Sequence, residues 1–228
     1  MSSEGKKLLF TYFDLPGRGE MTRLALAVGK IDHDEKRYQF SEWPAVKPTT
    51  PWGSLPTLTL PNGYVLAQSR AVFRYVAKLA GLYPSDPILA AKCDEITDQV
   101  EDFVFKTINN CGKGMEQKEK DAERKKCVST GKGAEELKKL DAYIKANGEN
   151  GHCVGNKLSA ADLAIYGTLL FAVCGFFDGI PVDCLDKYEN IQAVLKSVGS
   201  NEAVVKHYTN EKSSQGMFNV YKKTSLGK

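Results

Sequence analysis

The sequence lacks the patterns that mark membrane proteins, secreted disulfide scaffolds and metal sites. No run approaches the roughly 18 apolar residues of a membrane-spanning helix. The polar start, MSSEGKK, has no apolar signal-peptide core. The six cysteines show no CxxC or metal-ligand spacing, and the three histidines have no partners at such spacing. We therefore expect a cytoplasmic protein with reduced thiols, no membrane association and no bound metal.

A large excess of one charge is also missing. The 31 basic and 28 acidic residues leave a net charge of +3, too small to indicate a nucleic-acid partner. What the chain does have is 228 residues of which 42% are hydrophobic. This is enough for a sizeable core in one large domain or two small ones.

Residues 7–23, KLLFTYFDLPGRGEMTR, predict a short apolar strand, a turn and the start of a helix. Tyr12 lies where the strand ends and Arg18 where the helix begins. Open α/β folds bind ligands at the carboxyl ends of strands, so these two side chains are candidates for chemistry. A packed tyrosine and an arginine paired with Asp14 or Glu20 are the structural alternatives.

The remaining segments predict a mixed-sheet domain followed by helices. Apolar patterning and turn signals predict the order β-α-β-α-β-β-α, with a strand near 36–40, a hairpin of strands 57–60 and 64–66, and a helix over 70–80. Helical runs follow at 88–109, 115–147 with a break at 131–133, 160–175 and 186–208. We expect domains at 1–82 and 89–228, joined by a linker at 83–88.

The helix beginning at residue 160 has a strong start signal. Ser159 can cap it, and Asp162 can reach back as in a capping box. The helix is apolar nearly all round, which is typical of a buried core helix. Ser159 and Asp162 are therefore interpreted as folding residues.

Five blocks occur in order: TYFDLPGRGE, WPAVK, PWGSLPTL, QSRAVFRYVA and GNKLSAADLAIY. Over residues 6–208 the chain resembles a cytosolic glutathione transferase of the tyrosine type, closest to the sigma class. The resemblance implies an α+β thioredoxin-like N-terminal domain, an all-α C-terminal domain, a homodimer and glutathione as co-substrate.

The resemblance also implies residue roles. The Tyr12 hydroxyl would donate to the glutathione sulfur, and Arg18 would support the thiolate electrostatically. Leu55 would pair its backbone with the cysteinyl part of glutathione, and Pro56 would be a cis-proline. The remaining implied ligands are Trp43, Lys47 and Ser54 at the glycyl end, Gln68 and Ser69 at the γ-glutamyl end, and Asp102 at the γ-glutamyl amine of the neighbouring subunit's ligand. At Ser54 relatives more often carry Gln or Lys.

The pocket for the second substrate is expected between the two domains. Its candidates by position are Phe13, Phe105, Ile108 and Thr168, and tail residues such as Phe218 or Tyr221 are candidates for a lid. The acidic residues Asp98, Glu101 and Asp102 form either a solvated face or a cation-attracting cluster. The sequence leaves that choice open.

The expected function is detoxifying conjugation of glutathione to apolar electrophiles. A thiol of ordinary pKa, about 8.5, is mostly protonated at neutral pH, and a hydrogen bond to the thiolate favours the reactive form. Two alternative functions remain open. One is a glutathione-dependent isomerase of the prostaglandin-synthase type, and the other is a non-catalytic binder of glutathione or apolar ligands.

Overall fold

A computed structural model describes residues 7–211, 213 and 216–226. Its N-terminal part is built on a four-stranded mixed sheet in the order β2-β1-β3-β4. The strands are β1 Leu8–Phe13, β2 His33–Tyr38, β3 Thr57–Thr59 and β4 Val65–Ala67. β1 pairs parallel with β2 and antiparallel with β3, and β3 pairs antiparallel with β4. Three helices complete this part: α1 Glu20–Val28, α2 Trp43–Val46 and α3 Ser69–Leu79.

The predicted order β-α-β-α-β-β-α and the thioredoxin-like fold are confirmed. The second strand begins earlier than predicted, at His33 instead of residue 36. The reason is that β2 is an edge strand with mostly exposed side chains. Its apolar alternation is therefore weak, and its position is fixed by backbone pairing that begins with Leu8 opposite His33.

The C-terminal part is helical. Its helices are α4 Pro87–Asp102, α5 Gln117–Ser129, α6 Lys132–Asn147, α7 Ala160–Ala172, α8 Glu189–Gly199, α9 Glu202–Asn210 and α10 Phe218–Leu226. The predicted break near 131 is confirmed. The run 88–109 is not one regular helix, because α4 passes into a π-helical segment, Phe103–Ile108. The apolar pattern continues across that change, so periodicity alone does not show it.

Helix α7 lies at the centre of the C-terminal core and is buried along its whole length. Asp162 accepts hydrogen bonds from the Ser159 backbone N–H and hydroxyl at 2.7 and 3.0 Å, which confirms the predicted capping interaction. Gly167 faces the start of α1, where an added Cβ would lie 3.0 Å from the Met21 nitrogen. A glycine there lets the two domains pack closely.

The tail helix α10 packs against α8 and α9. Among the described residues, none of the helices is long and apolar enough to cross a membrane.

Candidate active site

Several of the predicted site residues meet at one edge of the sheet. β1 ends at Phe13, and the antiparallel strand β3 starts at the same edge, where Thr57 pairs with Thr11. Continuing that register places Leu55 and Pro56 beside the end of β1. The Leu55–Pro56 peptide bond is cis, as the resemblance implies.

The third contribution to this edge comes from the hairpin. β4 ends with Ala67 opposite Thr57, so Gln68 and the first residue of α3, Ser69, follow at the same place. Three chain segments therefore converge there, and each carries residues that the sequence predicts for the site.

Tyr12 is buried, with 6% of its surface exposed. Its hydroxyl oxygen accepts a hydrogen bond from the Arg18 backbone N–H at 2.9 Å. Burial is the main cause that raises the pKa of Tyr12 to about 12, although the Arg18 N–H and the charges of Arg23 and Arg18 oppose the rise. The phenol thus keeps its proton at neutral pH. Because its oxygen already accepts a bond from Arg18, its proton is available for donation to a ligand.

Two glycines make room for the Tyr12 ring. An added Cβ at Gly19 would overlap the ring, and one at Gly17 would lie 2.6 Å from the hydroxyl oxygen. Gly17 also has φ +46°, a conformation that side chains rarely adopt. The turn therefore closes tightly around the phenol.

Replacing Gly19 by alanine is expected to displace the Tyr12 ring and to slow the glutathione conjugation that the sequence resemblance implies by about tenfold or more, because misplacing a reacting group is costly. Steady-state rates with an aryl halide check this. Gly216→Ala is the matched control, since its added Cβ would have nothing nearer than 3.8 Å. Full activity in Gly19→Ala would contradict the tight fit.

A buried arginine holds the same turn from the inside. Arg23 is 2% exposed, and its guanidinium donates to the backbone carbonyls of Phe13 at 3.0 Å and Leu15 at 2.8 Å. It also donates to the carboxylates of Glu20 at 3.0 Å and Glu35 at 2.7 Å. This side chain explains how the stiff Leu15–Pro16 turn keeps one shape between Tyr12 and Arg18. The sequence indicates this role of Arg23 only through its opposite charge to Glu20, three residues earlier on the same helix.

Glu20 is fully buried and links this turn to the C-terminal domain. The Tyr208 hydroxyl, on α9, donates to its carboxylate at 2.6 Å, and His207 Nε2 lies 3.5 Å away. Burial alone would raise the pKa of Glu20, but His207, Arg23 and Tyr208 together lower it to about 2. Glu20 is therefore a charged anchor and does not pair with Arg18.

Glu101, a residue of α4, is a second buried carboxylate and lies against the start of α3. The Ser69 hydroxyl donates to it at 3.2 Å, and Arg70 Nε donates at 2.8 Å. Burial raises the pKa of Glu101, while Arg70 and Arg18 oppose the rise. Sequence reasoning places Glu101 only in an acidic cluster. The missed signal is its position four residues after buried Thr97 and eight after buried Cys93, on the inward stripe of α4.

Gln68 has φ 75° and ψ 118°, which is strained for a residue with a side chain. Such strain is often found at ligand sites. We expect Gln68→Gly to increase the free energy of unfolding by up to about 1 kcal/mol while weakening the binding of glutathione, the ligand that the sequence resemblance implies. Urea denaturation and calorimetric binding check both effects.

The matched control for that change is Ala71→Gly in α3, where glycine is expected to destabilise the helix by about 0.5–1 kcal/mol. If Gln68→Gly is destabilised as much as Ala71→Gly, or binds glutathione with unchanged affinity, the strain has no functional role.

Aromatic and basic residues border the site on the α2 side. The ring of Phe13 contacts those of Trp43 at 5.4 Å and Phe40 at 4.9 Å between centroids. Lys47 is exposed, and its Cε lies 3.4 Å from a Cβ added at Gly53, one residue before Ser54. Lys47 thus lies beside the loop that contains Ser54, and Trp43 lies beside the end of β1.

Arg18 is exposed and turns towards the helical domain. Its guanidinium carbon lies 3.9 Å from the centre of the Phe105 ring, in the π-helical segment. Phe105 stacks on Phe171 at 5.9 Å, and Phe171 contacts Phe176 at 4.8 Å. An aromatic surface therefore extends from Arg18 across the domain boundary.

Family models for the N-terminal and C-terminal domains of glutathione S-transferase match residues 9–78 and 101–212. The chain is also 35% identical to glutathione S-transferase 1 of Ascaris suum over 162 residues, 70% of this chain and 77% of the relative. The chain belongs to the glutathione S-transferase family. Members of this family use glutathione as co-substrate.

Other similar proteins carry a second name. Hematopoietic prostaglandin D synthase of Gallus gallus is 31% identical over 196 residues, 85% of this chain and 91% of the relative. Among solved structures, prostaglandin synthase D of Nilaparvata lugens aligns with a TM-score of 0.79 at 26% identity, covering 91% of this chain and 99% of that one. The glutathione S-transferase of Ascaris lumbricoides aligns with a TM-score of 0.73 at 28% identity, covering 92% and 100%.

Two predicted pocket residues of this glutathione S-transferase family member lie away from any open surface. Ile108 is fully buried and Thr168 is 3% exposed, both inside the helical core. The π-helical segment changes the direction in which side chains after Phe105 point, which a regular helical pattern does not reveal. Phe13 and Phe105 remain at the domain boundary, where Phe171 and Phe176 join them.

The acidic residues on α4 are balanced by arginines of α3. Arg70 donates to Asp102 at 2.7 Å and lies 3.3 Å from Asp98, and Arg74 donates to Asp98 at 2.7 Å. Lys106 donates to the other oxygen of Asp102 at 2.7 Å. Across the part of the chain that the structure describes, no group of acidic, histidine or cysteine side chains is arranged to hold a metal ion.

The tail residues proposed as a lid are packing residues in this structure. Phe218 and Tyr221 are buried, and the Tyr221 hydroxyl donates to the Gly167 carbonyl at 2.7 Å. Glu211 accepts hydrogen bonds from Arg37 at 2.7 and 2.9 Å. The tail thus fastens the helical domain to the sheet.

Proposed function

We propose that this protein activates the glutathione thiolate with the Tyr12 hydroxyl and transfers it to apolar electrophiles. The observation that supports this proposal is the convergence of Tyr12, Leu55 and the start of α3 on one sheet edge. A neutral hydroxyl donor, an unpaired stretch of backbone and a helix N-terminus on one edge suit the binding of one small anionic ligand.

Glutathione fits this edge along its length. Leu55 lies outside the paired part of β3, so its backbone groups can bond the cysteinyl part of the tripeptide. The γ-glutamyl carboxylate takes the N-terminus of α3, where the Ser69 backbone N–H and Gln68 lie. The Ser69 hydroxyl donates to Glu101. We therefore assign carboxylate binding to the Ser69 backbone N–H and not to its side chain. Trp43, Lys47 and Ser54 hold the glycyl carboxylate.

The chemical step is a nucleophilic attack. Glutathione releases its thiol proton to solvent water, and the Tyr12 O–H donates a hydrogen bond to the thiolate. Arg18 contributes a fixed positive charge at the same place. The sulfur then forms a bond with the electrophilic atom, and a leaving group departs with the bonding electron pair. Holding both reactants together makes this step effectively unimolecular.

The second substrate is placed against the aromatic surface formed by Phe13, Phe105 and Phe176. Phe176 is 41% exposed, which leaves ring area for an apolar partner. This surface and the order of the sequence blocks favour a sigma-type enzyme acting on aromatic or long-chain electrophiles.

A homodimer completes the proposal, with Asp102 reaching the γ-glutamyl amine of glutathione in the neighbouring subunit. Asp102 is partly exposed on the α4 face, where Arg70 and Lys106 hold its two oxygens. A cationic amine would replace one of these partners. Sedimentation analysis tests the dimer, and a monomer that binds glutathione normally would contradict the role of Asp102.

The first experiment separates transfer from isomerisation. Conjugation consumes glutathione, whereas a glutathione-dependent isomerase regenerates it. Relatives named prostaglandin D synthase make isomerisation of a prostaglandin endoperoxide the second candidate. The proposal predicts stoichiometric loss of glutathione with an aryl halide. Turnover of the endoperoxide without conjugation of any electrophile would favour the isomerase, and binding without turnover would favour a storage protein.

A further inference from the structure

Two of the cysteines share a small cavity away from Tyr12. Cys111 follows the π-helical segment, and Cys127 lies near the end of α5. Both line a cavity of about 310 Å³, which is also bordered by the start of α6. Both thiols are free in the structure.

The two sulfur atoms lie over the same turn of α5. Cys111 Sγ is 3.5 Å from the Glu123 carbonyl oxygen, one turn before Cys127. A side chain on a helix leans over the turn that precedes it, so the Cys127 thiol points to this place as well. On the other side, a Cβ added at Gly133 would lie 3.0 Å from Cys127 Sγ. Burial and then the neighbouring Cys127 thiol raise the pKa of Cys111 to about 11.

The charges around the cavity favour a small anion. Lys106, Lys126 and Lys132 line it together with Glu123. Lys106 pairs with Asp102 and Lys132 lies 3.5 Å from Glu136, so among the described lining residues Lys126 is the lysine without an ion pair. Lysine ammonium groups attract carboxylates by local electrostatics. A dithiol next to the Lys126 ammonium group therefore suits a reagent that is both anionic and reactive towards thiols.

We propose that Cys111 and Cys127 form a thiol–disulfide exchange site for a small anionic disulfide, the chemical class of oxidised glutathione. The Cys111 thiolate attacks one sulfur of the disulfide, forming a mixed disulfide and releasing one thiolate. The Cys127 thiol then loses its proton and attacks the Cys111 sulfur, releasing the second thiolate. The protein loses two hydrogens, and the small disulfide is reduced to two thiols.

The environment determines how this site behaves. Because the raised pKa of Cys111 keeps its thiol protonated at neutral pH, the first attack is slow. The same environment gives no special stabilisation to the Cys111 thiolate, so the protein disulfide is favoured once it forms. The site thus responds to accumulated disulfide rather than catalysing rapid turnover. The exchange reaction does not use Tyr12, so its test is independent of the test of the proposed conjugation.

The test is incubation of the folded protein with oxidised glutathione, followed by mass spectrometry of the intact chain and its peptides. The wild type is expected to lose two hydrogens and yield a Cys111–Cys127 cross-linked peptide, reversed by dithiothreitol. Cys127→Ser should stop with one glutathionyl group on Cys111, and Cys111→Ser should form no cross-link. The matched control Cys184→Ser should behave like the wild type, as should Tyr12→Phe.

The anionic preference has its own readout. The double variant Lys126→Ala/Lys132→Ala should react about threefold more slowly with oxidised glutathione but at the wild-type rate with bis(2-hydroxyethyl) disulfide, which is neutral. The proposal is overturned if the wild type forms no cross-link. It is also overturned if Cys127→Ser gains no glutathionyl group on Cys111, or if Cys184 reacts as fast as Cys111.

Discussion

Tyr12→Phe is expected to slow glutathione conjugation by about tenfold or more, a loss of roughly 1.4 kcal/mol of transition-state stabilisation. Glutathione affinity should stay nearly unchanged, because the contacts proposed for the two ends of the tripeptide do not involve the hydroxyl. The variant keeps the ring that packs against Gly19 and removes only the hydroxyl. Steady-state kinetics with an aryl halide and calorimetric binding measure the two effects separately.

The control for this change is Tyr64→Phe in the same domain. Tyr64 is 61% exposed and outside the sheet edge that forms the site. It should leave both rate and affinity at the wild-type level. An unchanged turnover number in Tyr12→Phe would remove the hydroxyl from the mechanism, whatever the affinity.

Arg23→Met is expected to have the largest effect on stability, lowering the free energy of unfolding by about 3–5 kcal/mol. The substitution takes the Arg23 guanidinium away from the Glu20 carboxylate in the protein interior and leaves it with Tyr208 and His207. It also removes the hydrogen bonds to the Phe13 and Leu15 carbonyls, which fix the turn beside Tyr12. Urea denaturation measures the loss.

Arg18→Met is the matched control, because it removes a guanidinium from the same turn at an exposed position. We expect it to change stability by no more than about 0.5 kcal/mol while reducing conjugation. Equal destabilisation by the two substitutions would show that the burial of Arg23 has no particular importance.

The Glu20 carboxylate gives a pH dependence with a defined sign. Its pKa is lowered in the folded protein to about 2, so its stabilising effect is present above pH 4.5 and is lost as the pH falls towards 2. The lowered pKa corresponds to about 3 kcal/mol. Urea denaturation at several pH values between 6 and 3 should therefore show that the free energy of unfolding falls less with decreasing pH for Glu20→Gln than for the wild type. The same dependence on pH in both proteins would contradict the role of Glu20.

Much of the site can be predicted from sequence because its residues follow turns that local chemistry determines. The hairpin turn and the capping box specify where the strands and α7 begin. The burial of Glu101 and Arg23 cannot be predicted in this way, because a charged residue on a helix is normally solvent-exposed. Only tertiary packing shows that Glu101 meets Ser69 and that Arg23 lies under the turn.

The proposed surface for the second substrate is the least predictable part. Phe105 and Ile108 belong to one apolar pattern, yet the π-helical segment leaves the first at the domain boundary and the second in the core. Phe171 and Phe176 join through contacts between distant parts of the chain. The contacts of the tail are hard to predict for a similar reason, since Phe218 and Tyr221 contact α1, β2 and α7, which no local pattern specifies.

The central claim is that the Tyr12 hydroxyl stabilises the glutathione thiolate. The most direct test is an ultraviolet titration of the thiolate of enzyme-bound glutathione, with the wild type and Tyr12→Phe compared. The account predicts that the wild type lowers the pKa of the bound thiol below its ordinary value of about 8.5, and that Tyr12→Phe raises it by about one unit or more. The same thiol pKa in both proteins would contradict the account.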